Sequence, residues 1–270
     1  MSVPSPRDEF FALLTEPSWR AALNPEFKKQ YMAKIANAVA EAERRSHAEP
    51  QLAPQRADIF RALNLVPVER VRAVILGQDP YPHAGDADGL AFSYRGTGRT
   101  PNALGKVLAE ARRDLGWRTR PSRDLTPWAE QGVLLLNVAL TNLVGETWAH
   151  GSLEWQQFTR AVLCAVADRS SPSAILLWGG KAGKFSSNFE GTQHKVFKTD
   201  HPCASRPKDG FLSTPFKGSR PFSNANIFLE SAVGTEIDWS LPPRTRRIHS
   251  LAQNSEPSLT RRPVRGRTSR

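Results

Sequence analysis

Four short runs rich in Val, Ile and Leu, each ending on polar residues or glycine, limit what this chain can fold into. They occupy residues 71–76, 133–138, 173–178 and 195–198, the length of strands buried in a parallel sheet, with the last the weakest alone. Helical patterns stand between and before them, at 8–14, 24–45, 103–115, 153–168 and 182–189. Strands alternating with helices predict an α/β fold: a central four-stranded parallel twisted sheet flanked by helices on both faces. In such a sheet, ligands bind beyond the carboxyl ends of the strands, where loops leave the core. Function is sought at those four ends.

At 270 residues, the chain suffices for one large domain with flanking segments. The expected division is a helical lead-in over 1–50, a main domain over 51–240 and a basic, disordered tail over 241–270. Net charge is +11, but the last thirty residues hold eight arginines against one glutamate, so about +7 of it lies there. Such a balance favours a polyanionic partner, because basic groups that neutralise phosphates release counterions. Cys164 and Cys203 are too few for a zinc cluster or an iron-sulfur centre, so no metal or other cofactor is expected. No apolar run approaches the roughly 18 residues that cross a bilayer, so no membrane contact is expected. The first ten residues lack the features of a secretory signal, so the expected compartment is cytoplasmic. The segment Gly179-Gly180-Lys181-Ala182-Gly183-Lys184 invites a nucleotide-phosphate reading, but Phe185 stands where a P-loop needs Ser or Thr. Its lysines fit a helix start or a DNA phosphate better.

The residues at the strand ends carry chemistry. The first run leads into Gly77-Gln78-Asp79-Pro80-Tyr81, where a glycine permits a sharp turn and a proline stiffens a loop holding an acid and a phenol. Gly89-Leu90-Ala91-Phe92-Ser93 adds an aromatic, the second run ends on the amide of Asn137, and the fourth is followed by Asp200-His201-Pro202. Taken singly, these residues read as a turn former, core, a loop cap and a half-buried histidine. Together they supply what recognition of a flipped planar base requires, an aromatic face for stacking and hydrogen bonds for the edge.

In order and spacing, residues 77–81, 89–93, 133–137 and His201-Pro202 resemble the water-activating and uracil-binding motifs of family 1 uracil-DNA glycosylases, with similarity from about Ile59 to Trp239. The resemblance implies hydrolysis of the bond between uracil and its sugar in single- or double-stranded DNA, by a monomer. By it Asp79 orients the water and stabilises positive charge on the sugar, and Asn137 reads the N3 and O4 edge of uracil. His201, neutral, donates to O2; Phe92 stacks; Tyr81 fills the space of a thymine methyl; Gln78 shapes the pocket through its loop. Two rivals are weaker. A non-catalytic DNA-binding module has no need of both Asp79 and His201, and a broader mismatch glycosylase has no use for Tyr81.

Departures from the family pattern cluster where DNA would be gripped. Pro82 takes the place of a histidine, and Ala103 and Cys203 stand where phosphate-gripping serines are usual. Pro202, Ser205, Arg206 and Lys208 are the expected DNA-contact residues, but Ser205 replaces the leucine that would wedge into the base stack. Arg206 is the expected substitute, since a guanidinium stacks on bases and pairs with phosphate. Because the same loop docks the phage inhibitor protein that mimics DNA, weakened inhibition is expected. The arginine-rich tail is expected to act as a tether to DNA.

Overall fold

A computed structural model describes residues 5–45, 51–169, 171–204 and 214–244. Ser205, Arg206 and Lys208, and the tail beyond residue 244, lie outside the described residues. Along the chain come α1 (Pro6–Ala12), α2 (Pro17–Phe27), α3 (Gln30–Arg44), β1 (Leu52–Ala53), α4 (Arg61–Leu65), β2 (Ala73–Gly77), α5 (Asn102–Leu115) and α6 (Thr126–Ala129). There follow β3 (Val133–Asn137), β4 (Asn142–Leu143), α7 (Trp155–Arg169), β5 (Ala174–Trp178), α8 (Gly180–Gly183), β6 (Lys195–Thr199) and α9 (Pro221–Val233).

The four apolar runs form one parallel sheet in the order β3-β2-β5-β6. Every residue of β2, β3 and β5 is buried, so both faces of these strands are covered. Aromatic side chains of the core form two clusters. Phe10, Phe27, Phe60, Trp155 and Phe158 meet edge to face or tilted in one. Trp128, Trp178, Phe222 and Trp239 meet in the other. Within the sheet, β2 continues to β3 on one side, and the chain then crosses to β5 on the other. That reversal opens a crevice beyond the carboxyl ends of β2 and β5.

Several elements differ from the pattern reading. The helix expected over 24–45 is two helices, α2 and α3, parted at Lys28–Lys29, where Lys29 turns extended (φ −77°, ψ 153°). That break lets Phe27 and Tyr31 both enter the core. β6, at the edge opposite β3, is only partly buried, unlike the other three strands. The helix expected over 182–189 is the short α8 followed by a separate 3-10 turn, Ser186–Phe189. β1 and β4 form an antiparallel pair, and α9 an additional helix, that periodicity does not suggest. The boundary expected at Leu241 falls inside the packed structure: Leu241 is buried, Ser122 donates to the Pro242 carbonyl, and Arg244 donates to that of Arg120. The lead-in helices likewise share one continuous hydrophobic core with the sheet. Among the described residues, no helix is long and apolar enough to cross a membrane.

Candidate active site

A cavity of about 210 Å³ opens beyond the strand ends, lined by Gln78, Asp79, Tyr81, Phe92, Asn137 and His201 among others. These are the six residues that sequence reading places at the chemistry and at the base. Pro202 is buried beside them in the turn after His201. The space is smaller than the roughly 300–1,000 Å³ of a drug-sized site and suits a single small ring.

Asn137 ends β3 opposite Gly77 of β2. It is 8% exposed, its backbone carbonyl accepts from Thr159 Oγ1 at 3.3 Å, and its side-chain amide has no hydrogen-bond partner among the described residues. The amide borders the cavity, where water or a ligand completes its hydrogen bonds. Gly77 leaves the space this amide occupies, because a Cβ there would fall 2.3 Å from Asn137 Oδ1.

Asp79 lies two residues beyond β2. Its Oδ2 accepts from the Asn142 amide at 3.0 Å and from the Trp148 backbone N–H at 2.9 Å, and neither bond uses Oδ1. Burial pushes its carboxyl above the usual carboxylate range, while those donors, Gln78 and the Lys181 ammonium oppose that shift. Asn142, fully buried in β4, also accepts from Ala149 N–H at 2.7 Å and so ties the Trp148 loop to Asp79.

His201 follows β6. The Cys203 backbone N–H donates to its Nδ1 at 3.1 Å, which that nitrogen accepts only when it carries no proton. The neutral ring therefore has its hydrogen on Nε2. Burial lowers the His201 pKa below the usual imidazole value, in keeping with a neutral ring at pH 7. Gly179, with φ +93°, lets the end of β5 pass this residue; a Cβ there would stand 2.8 Å from His201 Cβ.

Phe92 holds a left-handed backbone, φ 65°, that a bulky residue adopts only when its surroundings impose it. The Tyr81 hydroxyl donates to the Phe92 carbonyl at 2.9 Å, coupling the two aromatics of the cavity. Buried Asp88 organises the turn before Phe92, accepting from Leu90 N–H and Ser93 Oγ and pairing with Arg61 at 3.1 Å. Trp178 packs behind Phe92 with ring centroids 5.4 Å apart.

Sequence reading missed Asn142, Trp148, Asp88 and Arg61. The one available signal was the polar pair Thr141-Asn142, buried soon after an apolar strand. Lys181, whose surroundings in sequence suggest a helix start or a phosphate contact, stands over the Trp148 ring.

A family model described as the uracil DNA glycosylase superfamily matches residues 63–227. The chain is 40% identical over 227 residues to a uracil-DNA glycosylase of Sinorhizobium medicae, covering 84% of this chain and 91% of the relative. It is 39% identical over 231 residues to uracil-DNA glycosylase 2 of Streptomyces avermitilis, covering 86% of this chain and 97% of the relative. Among solved structures, mimivirus uracil-DNA glycosylase superposes with a TM-score of 0.77 over 88% of this chain and 91% of that chain, at 22% identity. That likeness concerns the fold. A variant of the mimivirus protein has been crystallised in complex with UGI.

Proposed function

The chain belongs to the uracil-DNA glycosylase superfamily and excises uracil from DNA; from that premise we propose how its own residues do so. The target nucleotide swings out of the DNA and its base enters the cavity at the strand ends. Phe92 stacks on the ring, and Tyr81 takes the space beside C5 that a thymine methyl would need. The Asn137 amide, which borders the cavity without a protein partner among the described residues, donates to O4 and accepts from N3–H. Cytosine would meet it with donor and acceptor exchanged, an expensive mismatch in a buried site.

Cleavage breaks the bond between C1′ and N1, and the electron pair leaves with the base. Negative charge then grows on O2, where the His201 Nε2–H donates; one such preorganised donor contributes roughly 3–4 kcal/mol in other enzymes. Positive charge grows on the sugar, where the Asp79 carboxylate stabilises it. The same carboxylate orients a water toward C1′ and accepts its proton as the new C–O bond forms. Charge at both ends of a dissociating bond is thus met by side chains. Arg206 and Lys208 support the extruded state, the basic tail holds the enzyme near DNA, and the altered loop weakens binding of the phage inhibitor. The enzyme acts as a monomer in the cytoplasm.

The observation that carries this reading is the buried amide of Asn137, without a partner among the described residues, in a cavity with an aromatic wall. The substitution Asn137→Asp exchanges the amide for a carboxyl group, which in its protonated form accepts from the cytosine N4 amine and donates its O–H to N3, the reverse of the amide's pattern. Uracil release is expected to fall at least about 100-fold and slow cytosine release to appear. Both are measured by chromatography of free base from matched oligonucleotides. Unchanged uracil release would remove Asn137 from recognition.

A further inference from the structure

Asp79 is held by more than the strand that delivers it. Trp148 gives its N–H to Asp79 from a left-handed backbone, φ 63° and ψ 21°, which bulky residues rarely adopt. Two contacts fix the indole that accompanies this strain. Gly151 lies against it so closely that a Cβ would come within 1.9 Å of Trp148 Nε1. On the ring itself, Lys181 Nζ stands 3.5 Å from the centroid, a cation–π seat. Lys181 belongs to α8, directly after β5, so this contact joins a third strand end to the loop that carries the amide.

We propose that Lys181 is a positioning residue: seated on Trp148, it keeps that N–H on Asp79 and offers the carboxylate a positive charge, so that Asp79 meets the water ionised and in one orientation. The proposal rests on the reading of Asp79 given above and extends it to a residue outside the cavity lining. Burial favours the protonated carboxyl of Asp79, and Lys181 is the cation whose charge opposes this. Burial also lowers the pKa of Lys181 itself; the Asp79 charge opposes that shift, and the neighbouring Lys184 adds to it. Of the other titratable groups lining the cavity, His201 holds no charge when its Nδ1 accepts from Cys203, and burial keeps the Tyr81 hydroxyl protonated. Without Lys181, Asp79 takes up its proton at a higher pH.

An exposed lysine on an enzyme of DNA would otherwise be assigned to a phosphate, and the two roles part in kinetics. The test is uracil release by the full chain from a short single-stranded oligonucleotide, across pH and salt, for wild type, K181R, K181M, W148A and K181M/W148A. K181M is expected to lower the maximal rate roughly tenfold with KM kept, and to move the acid limb of the pH profile to higher pH. K181R should restore both, and K181M should add little to W148A. Should W148A fail to fold, the comparison of K181M with K181R decides alone, since Lys181 is exposed. A raised KM and a shallower salt dependence, with maximal rate and acid limb intact, would assign Lys181 to a phosphate and overturn the proposal. An unaltered K181M would overturn it too, and a wild type that releases no uracil would overturn both it and the reading of Asp79.

Discussion

Gly77 and Asn137 lie side by side on the β2–β3 ladder, and a methyl group on Gly77 would stand 2.3 Å from Asn137 Oδ1. The amide would have to turn away, into the open cavity. Gly77→Ala is therefore expected to slow uracil release about 100-fold, because small misplacements of a recognition group are costly. Because the same methyl would also stand 3.0 Å from the Cβ of buried Ala91, a lower melting temperature is expected as well. Single-turnover release and thermal unfolding, measured on the same preparation, separate the two effects, and an unchanged rate would mean that the amide's position is not used. Residues of this kind are legible in sequence because strand ends announce them: Asp79, Asn137 and His201 each stand just past or at the end of an apolar run. Their supports are not. Trp148 serves Asp79 through a backbone N–H, which no side-chain identity encodes, and Asn142 reaches Asp79 across 63 positions of sequence. The Nε2–H tautomer of His201 likewise depends on a backbone donor, Cys203, rather than on a neighbouring letter.

At the scale of elements, α9 shows how a helix is fixed from outside itself. Arg220, the residue before it, is left-handed and gives no side-chain cap. Asp114 of α5 acts instead, accepting from Phe222 N–H at 3.1 Å, Ser223 N–H at 2.9 Å and Ser223 Oγ at 2.6 Å, with its side chain wholly buried. Asp114→Ala is expected to destabilise the fold by about 1–2 kcal/mol, as losing a cap does, with little change in the maximal rate of uracil release. Urea unfolding measures the first and the glycosylase assay the second. No loss of stability would mean that water caps α9 as well as Asp114 does. Periodicity overlooked α9 because Ile227 is 66% exposed and blurs the contrast between its faces. It overlooked the break between α2 and α3 because neither glycine nor proline marks Lys28–Lys29. The fully buried strands were plain from composition, whereas β6 carries two lysines because at its edge of the sheet it is only partly covered.

In the whole molecule, helices and sheet form a single core. The Trp19 indole is buried and donates to the Val66 carbonyl at 2.6 Å, and Phe10 packs on Trp155 of α7. A lead-in that looked separable in sequence is thus part of the support behind the sheet, since hydrophobic patterning shows that a face is buried but not against what. Net charge belongs to this scale as well: about +7 of the +11 is carried by residues 241–270, and the rest of the chain is only mildly basic. The full chain is the proper object of the decisive experiment, the release of free uracil from a single-stranded oligonucleotide in the presence of a metal chelator, by wild type and by Asp79→Asn. If the carboxylate and the imidazole act together on one bond, wild type releases uracil with chelator present and Asp79→Asn is slower by roughly 100-fold or more. A wild type silent in chelator, or an Asp79→Asn enzyme as fast as wild type, would contradict it.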